Sequence, residues 1–320
     1  MTVALAVDIG LVVLTLAVAT WTINARETYA AVVGFVACGL LLTLVWMRLA
    51  APDVAMTEAA IGSGLSGMLL LGAASRLRAT EPAAGVERPG AAHRLAAGAL
   101  CAAVTAGLAA VVLSLPAPPP TLAPEATSNL PRIGLGNPVT AVLLAYRALD
   151  TLLEKVVLLL ALLGVWSLAP DQLWGGRARV WRVADGPPSG PLTLLAQVLP
   201  PFGLIVGVYL FWNGANAPGG TFPAGTILAA MWLLVLVAGS AKVPSVGRRW
   251  LRLVMVAGPM LFIVVALAGF AAAGAFLGYP EAYAKPLIVA IETVLTLSIA
   301  ATLAMMVAGR PQEPREQVQP

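Results

Sequence analysis

Residues 136–166 read GNPVTAVLLAYRALDTLLEKVVLLLALLGVW. Everything after Lys155 is apolar through Trp166, whereas Arg147, Asp150, Glu154 and Lys155 all lie within the nine residues before that run. About 20 residues rising ~1.5 Å each cross a hydrocarbon core of ~30 Å, so 150–169 has the length of a membrane helix. An ionisable group inside such a span costs about 2.5–3.5 kcal/mol on insertion scales, so each one needs a partner or a use. The three- and four-residue spacings put Arg147, Asp150 and Glu154 on one helical face, where they can pair. Lys155 points about 100° away and needs a partner on another helix or another chain.

Working outward, eight more runs have the same character: about 3–23, 29–48, 53–75, 95–115, 192–212, 220–241, 251–275 and 287–309. Across all 320 residues, 59% are hydrophobic and only 11% charged. Mean hydropathy is +0.89. So little charge cannot cover a soluble surface of this size, which excludes a soluble enzyme and a disordered chain. The expected fold is all-α, a polytopic membrane protein with about nine transmembrane helices. The first run does not read as a cleaved signal, because it lacks a basic flank and carries Asp8.

Three connections are long. Residues 76–94 and 170–191 are charged and contain Pro and Gly, and 116–137 is Pro-rich, with Pro118, Pro119 and Pro120 in a row, and is expected to be extended. These breaks suggest three fused modules, 1–85, 92–175 and 190–310, then a cytoplasmic tail at 311–320. Basic residues alternate by loop. Arg26, Arg76, Arg78, Arg88, Arg94, Arg177, Arg179, Arg182, Lys242, Arg248, Arg249, Arg252, Arg310 and Arg315 fall on one side, against Arg48, Arg132 and Lys285 on the other. By the positive-inside rule the N-terminus is outside and the C-terminus in the cytoplasm, in a cell inner membrane.

The net charge of +4 forms no basic run interleaved with aromatics, so no nucleic-acid partner is expected. Two cysteines and one histidine offer no zinc, haem or iron–sulfur ligand set, and no cofactor or metal is expected. No GxGxxG, P-loop or Ser/His/Asp pattern supports nucleotide binding or hydrolysis. His93 reads as a solvated loop residue. Trp21, Trp46, Trp166, Trp181, Trp212 and Trp250 read as interfacial anchors, and Gly62, Gly64 and Gly67 as small-residue helix packing.

The intramembrane charges are Asp8, Glu58, Glu154, Lys155 and Glu292, with Asp53, Arg147 and Asp150 at helix edges. The four acids Asp8, Glu58, Glu154 and Glu292 all fall in the outer part of their spans. Glu58, for example, is only ~7.5 Å beyond Asp53. Two readings stand. Either the acids pair or snorkel, with Arg147 a helix clamp, or carboxylates reached from outside bind protons or cations. The stretch NGANAPGGTFPAGT (213–226) breaks two apolar runs. Asn213, Gly214, Gly219 and Gly220 permit turns and positive φ, and Pro218 and Pro223 prevent an unbroken helix. It is either an outer-side turn between packed helices or a partly unwound segment lining a polar cavity.

These stretches resemble one family in one order. AAPDVAMTEAAIGSGLSGMLLL (50–71) resembles the small domain at the C-terminal end of the large A subunit of Mrp-type Na⁺/H⁺ antiporters, a separate small subunit in membrane-bound hydrogenases. Residues 136–165 resemble the module that follows it. NGANAPGGTFPAGTILA (213–229) is similar to the MnhB/MrpB subunit, where a GHNSPGGGFxGG-like turn recurs. The resemblance implies a membrane subunit of an Mrp-like module, related to the proton-pumping arm of respiratory complex I. It places Asp53, Glu58, Asp150 and Glu154 on a cation or proton path. Ala145 stands where the second module usually has aspartate, Leu153-Glu154-Lys155 replaces a Gly-Glu-x pattern, and Glu292 lies where MnhB-like chains often carry Asp.

The preferred reading is therefore a non-catalytic membrane component that docks antiporter-like subunits, with lipid around it. The alternative is a structural adaptor between a proton-pumping arm and a soluble redox or inorganic-carbon enzyme. A transporter acting alone is poorly supported, since the helix grouping shows no inverted repeat.

Overall fold

The computed structural model describes residues 3–77, 90–178 and 190–312, and these are helical, with two isolated β-bridges and no strand. In lipid every backbone N–H and C=O must be satisfied within its own segment, which leaves the helix as the outcome for each long apolar run. Among the described residues the long helices are α1 (Val3–Asn24), α2 (Thr28–Arg48), α3 (Pro52–Thr57, a π-helical stretch Glu58–Leu65, then Ser66–Leu77), α4 (Ala91–Ser114) and α5 (Ala148–Ser167). They continue with α6 (Gly190–Asn213), α7 (Thr221–Val237), α8 (Arg249–Ala273) and α9 (Ala284–Ala308).

Seven of these are long and apolar enough to cross a membrane. The two that fall short are α5, whose first half carries Asp150, Glu154 and Lys155, and α7, with 17 residues. The chain is a multi-pass membrane protein.

The bundle is built around α9. Its Ile288, Ile291, Leu295, Ile299 and Leu303 are almost wholly enclosed, together with Phe262 of α8. Helices α5, α6, α7 and α8 pack around it, and α1–α2–α3 join this group through the contact of α3 with α7. The outward flanks of the surrounding helices are apolar, as lipid requires. Helix α4 differs from all of these: none of its residues is buried.

At one end of the bundle the loop after α5 clasps the α7–α8 connection. The Val246 N–H donates to Gly176 C=O at 2.8 Å, Gln312 N–H to Arg177 C=O at 3.2 Å, and Arg310 to Leu168 C=O at 2.6 Å. Arg177, Arg252 and Arg310 gather there. Arg132, Lys285, Asn137 and Gly219 lie at the other end, with the α6–α7 turn.

Several expectations are corrected. The 76–94 connection ends earlier, because α4 begins at Ala91 and His93 sits in its first turn. The 116–137 segment is not extended throughout, since Ala123–Ser128 and Leu130–Ile133 are helical. Pro124 and Pro131 occupy first-turn positions, where a missing N–H breaks no bond. Pro223 likewise lies within the first turn of α7 and does not interrupt it. Helix α7 ends at Val237, short of 241. Trp166 is a core residue, packed with Leu162, Leu251 and Met305, and not an interfacial anchor. Arg78, Arg88, Arg179, Arg182, Arg315, Trp181 and tail residues 313–320 lie outside the described residues.

Candidate functional site

The segment before α5 is folded sharply. Asn137 caps the short helix Pro138–Ala141, its Oδ1 accepting from the Val139 N–H at 2.9 Å. A π-helical turn, Val142–Tyr146, follows, and the chain breaks at Arg147. Thr151 then donates to the Leu143 carbonyl at 2.6 Å, eight residues back. A straight helix would separate those residues by ~12 Å, so 138–146 doubles back along the start of α5. Thr140, Ala141 and Leu144 are buried in this arrangement. The region 137–149 is thus folded against the bundle.

The α6–α7 turn docks onto this segment. Gly136 N–H donates to Ala215 C=O at 2.9 Å, and a Cβ on Gly136 would stand 2.8 Å from the Asn216 carbonyl oxygen, so only glycine fits. Thr140 donates to Gly214 C=O at 2.6 Å. Within the turn, Asn213 donates to Pro218 C=O at 3.2 Å, and Gly220 adopts φ 113°, a backbone conformation open essentially to glycine alone. Asp53, in the first turn of α3, closes the joint. Its Oδ1 accepts from Gly219 N–H at 3.0 Å and from the Asn137 amide at 3.2 Å. One carboxylate oxygen therefore ties together α3, the segment before α5 and the α6–α7 turn.

Beside this joint lies a cavity of about 310 Å³. Asp53, Glu154, Lys155, Gly219, Gly220 and Glu292 line it, with Thr57, Thr140, Thr151 and Phe222. Lys155 is only 3% exposed; its Nζ stands 3.3 Å from the Phe222 ring centroid and 3.5 Å from Glu154 Oε2. That separation gives an ion pair without hydrogen-bond geometry, and Nζ has no hydrogen-bond partner among the described residues. Glu292 is 2% exposed, and its Oε2 is likewise without a partner. Such groups are costly to bury, and two of them line this one cavity.

The other sequence-predicted residues lie elsewhere. Glu58 opens the π-helical stretch of α3 and folds against its own Gly62 toward Gly39 of α2, away from the residues lining the cavity. Asp150 pairs with Arg147 at 2.7 Å on an exposed face, leaving Glu154 to Lys155. Asn213 and Pro218 shape the turn without lining the cavity. Asp8 is held by Arg48 through a two-pronged contact of 2.7 and 3.1 Å between α1 and α2. Gly67 packs against Val36 of α2. Asn137 and Phe222 were not singled out from sequence. An Asn-Pro helix start and a Phe two residues after the Gly219-Gly220 pair were the available signals.

Two family models match the chain. MbhD, a component of MBH, matches residues 13–79, and a domain related to the MnhB subunit of Na⁺/H⁺ antiporter matches residues 191–310. The chain therefore joins a region similar to MbhD to a region similar to the MnhB subunit. Asp53 and Glu58 fall in its MbhD-type part, and the turn and Glu292 in its MnhB-related part. Asn137, Glu154 and Lys155 belong to the segment between, so the cavity lies where all three meet. Two solved structures share the fold. One is the Mrp complex from Dietzia sp., with TM-score 0.75 and 24% identity, over 96% of this chain and 35% of that one. This chain thus spans about a third of that chain's length. The other is a membrane-bound sulfane sulfur reductase, an archaeal respiratory membrane complex, with TM-score 0.56 and 25% identity, over 67% of this chain and 96% of that one. Comparison by sequence with curated proteins gives no match.

Proposed function

We propose that this chain is a membrane subunit of a multi-chain, Mrp-like cation/proton-translocating complex, and that the cavity between its modules is part of the ion path. The observation that carries this reading is that Lys155 Nζ and Glu292 Oε2, both deeply buried and without a hydrogen bond among the described residues, belong to side chains lining one cavity. Glu154, half exposed beside Lys155, is the entry from the outer side. Asp53 positions the turn that forms the cavity wall, and Arg147–Asp150 is a clamp at its rim. The three modules are 1–85, 92–175 and 190–310. All nine long helices span, with the arginine-rich clasp at the cytoplasmic face of an inner membrane and the α6–α7 turn outside. That orientation is supported by the gathering of Arg177, Arg252 and Arg310 at one end. Antiporter-like subunits supply the rest of the machine. Helix α4, with no buried residue, is the face they cover.

Replacing Glu154 with Gln leaves assembly intact and abolishes ion-coupled pH change in vesicles. Glu58→Gln, off the cavity, gives a smaller loss. Wild-type transport rates in a well-assembled Glu154→Gln complex would overturn the reading. A second reading, an adaptor to a soluble redox partner, draws on the likeness to the respiratory complex. Mass spectrometry of the native complex separates the two, because only the adaptor requires a catalytic soluble subunit.

A further inference from the structure

The cavity already contains a cation. Among the described residues Lys155 is the one basic side chain on its wall, which it shares with Asp53, Glu154 and Glu292. It is held there from two sides, with the Phe222 ring face 3.3 Å from Nζ and Glu154 Oε2 at 3.5 Å. An ammonium over an aromatic face and beside a carboxylate occupies the sort of place a free metal cation would take. The acids are arranged differently from a metal's ligands. Asp53 Oδ1 is engaged by the Gly219 N–H and the Asn137 amide, both neutral donors that fix it to the joint. Among the described residues no three acidic, histidine or cysteine side chains converge as a ligand set. Glu292 Oε2 stands alone, buried and without a donor.

We propose that the Lys155 ammonium is the cavity's resident cation and fixes its selectivity, so that the path accepts protons and excludes sodium. This rests on the cavity being part of an ion path, and it narrows the species carried. The uptake step needs no metal: the Glu292 carboxylate binds one proton to become a neutral carboxylic acid, and releases it to become a carboxylate again. A sodium ion entering the same space would meet the lysine's positive charge at short range, beside the carboxylate the ammonium already holds. Neutralising Lys155 removes the repulsion and leaves three acids facing an empty volume.

The test compares the purified complex heated in NaCl and in choline chloride at equal ionic strength. The quantity read is the part of the Na⁺-induced rise in unfolding midpoint that Glu292→Gln removes, since a ligand that binds the folded state stabilises it by RT ln(1 + L/Kd) at free ligand concentration L. In the wild-type and Lys155→Arg backgrounds that part is zero. In the Lys155→Met background it is positive and grows with Na⁺ concentration. Lys155→Gln serves the same comparison where the methionine variant does not assemble. A Glu292-dependent Na⁺ response in the wild-type complex overturns the proposal, as does an assembled, neutralised Lys155 variant with no such response. The salt comparison reads binding alone. Normal transport by Glu154→Gln would instead remove the ion-path reading while leaving the selectivity result standing.

Discussion

The rim of the bundle and its central cavity treat charge in opposite ways. At the rim, Arg48 grips Asp8 with two bonds, Arg147 holds Asp150 at 2.7 Å and Arg132 holds Glu281 at 2.9 Å, all with exposed side chains. In the cavity, Lys155 Nζ and Glu292 Oε2 are buried without a hydrogen bond among the described residues, and Lys155 is left with an aromatic ring and one loose carboxylate contact. A paired and exposed charge has little reason to change its proton or its partner. A buried, unpartnered one is held in an environment where small changes in occupancy have large energetic consequences. The contrast separates charges held in exposed pairs at the rim from those enclosed beside the cavity, a difference that spacing along the sequence does not carry.

The comparison breaks most violently at the joint that supports the cavity. Gly136→Val places side-chain atoms against the Asn216 carbonyl, 2.8 Å from even the first added carbon, and is expected to prevent assembly, as read by loss of the complex on native gels. Gly220→Ala, at φ 113°, is milder and costs about 1–3 kcal/mol, seen as a lowered unfolding midpoint with residual transport. The smallest effect is expected at the rim. Exchanging the charges of Arg147 and Asp150 in one double variant keeps the pair and leaves assembly and transport near wild type. If instead the double variant assembles but fails to transport, Asp150 belongs with the carriers.

The helices were legible because an apolar run of membrane length has one outcome in lipid. Their ends were less so, since Pro124, Pro131 and Pro223 read as breaks until their first-turn positions were known. Glu292 and Lys155 were visible as charges within spans, and the turn at 213–220 as a break rich in glycine. Sequence left open whether that turn joined packed helices on the outer side or was a partly unwound segment lining a polar cavity, and the structure puts its Gly219 and Gly220 on a cavity wall. The joint itself was hidden. Asp53 meets Asn137 and Gly219, 84 and 166 residues away, through neutral donors that no charge pattern announces. The Phe222–Lys155 contact was hidden for the same reason, because an aromatic face carries no formal charge. Asp8 went to Arg48 through helix packing between α1 and α2, which one-dimensional spacing does not encode.

The most direct test measures ion-coupled transport in vesicles containing the assembled complex, with Glu292→Gln and Asp8→Asn side by side. The account predicts that Glu292→Gln falls to the level of vesicles without the complex while Asp8→Asn stays near wild type. Equal activity in the two variants, or a greater loss in Asp8→Asn, would contradict the claim that the buried cavity carries the ion.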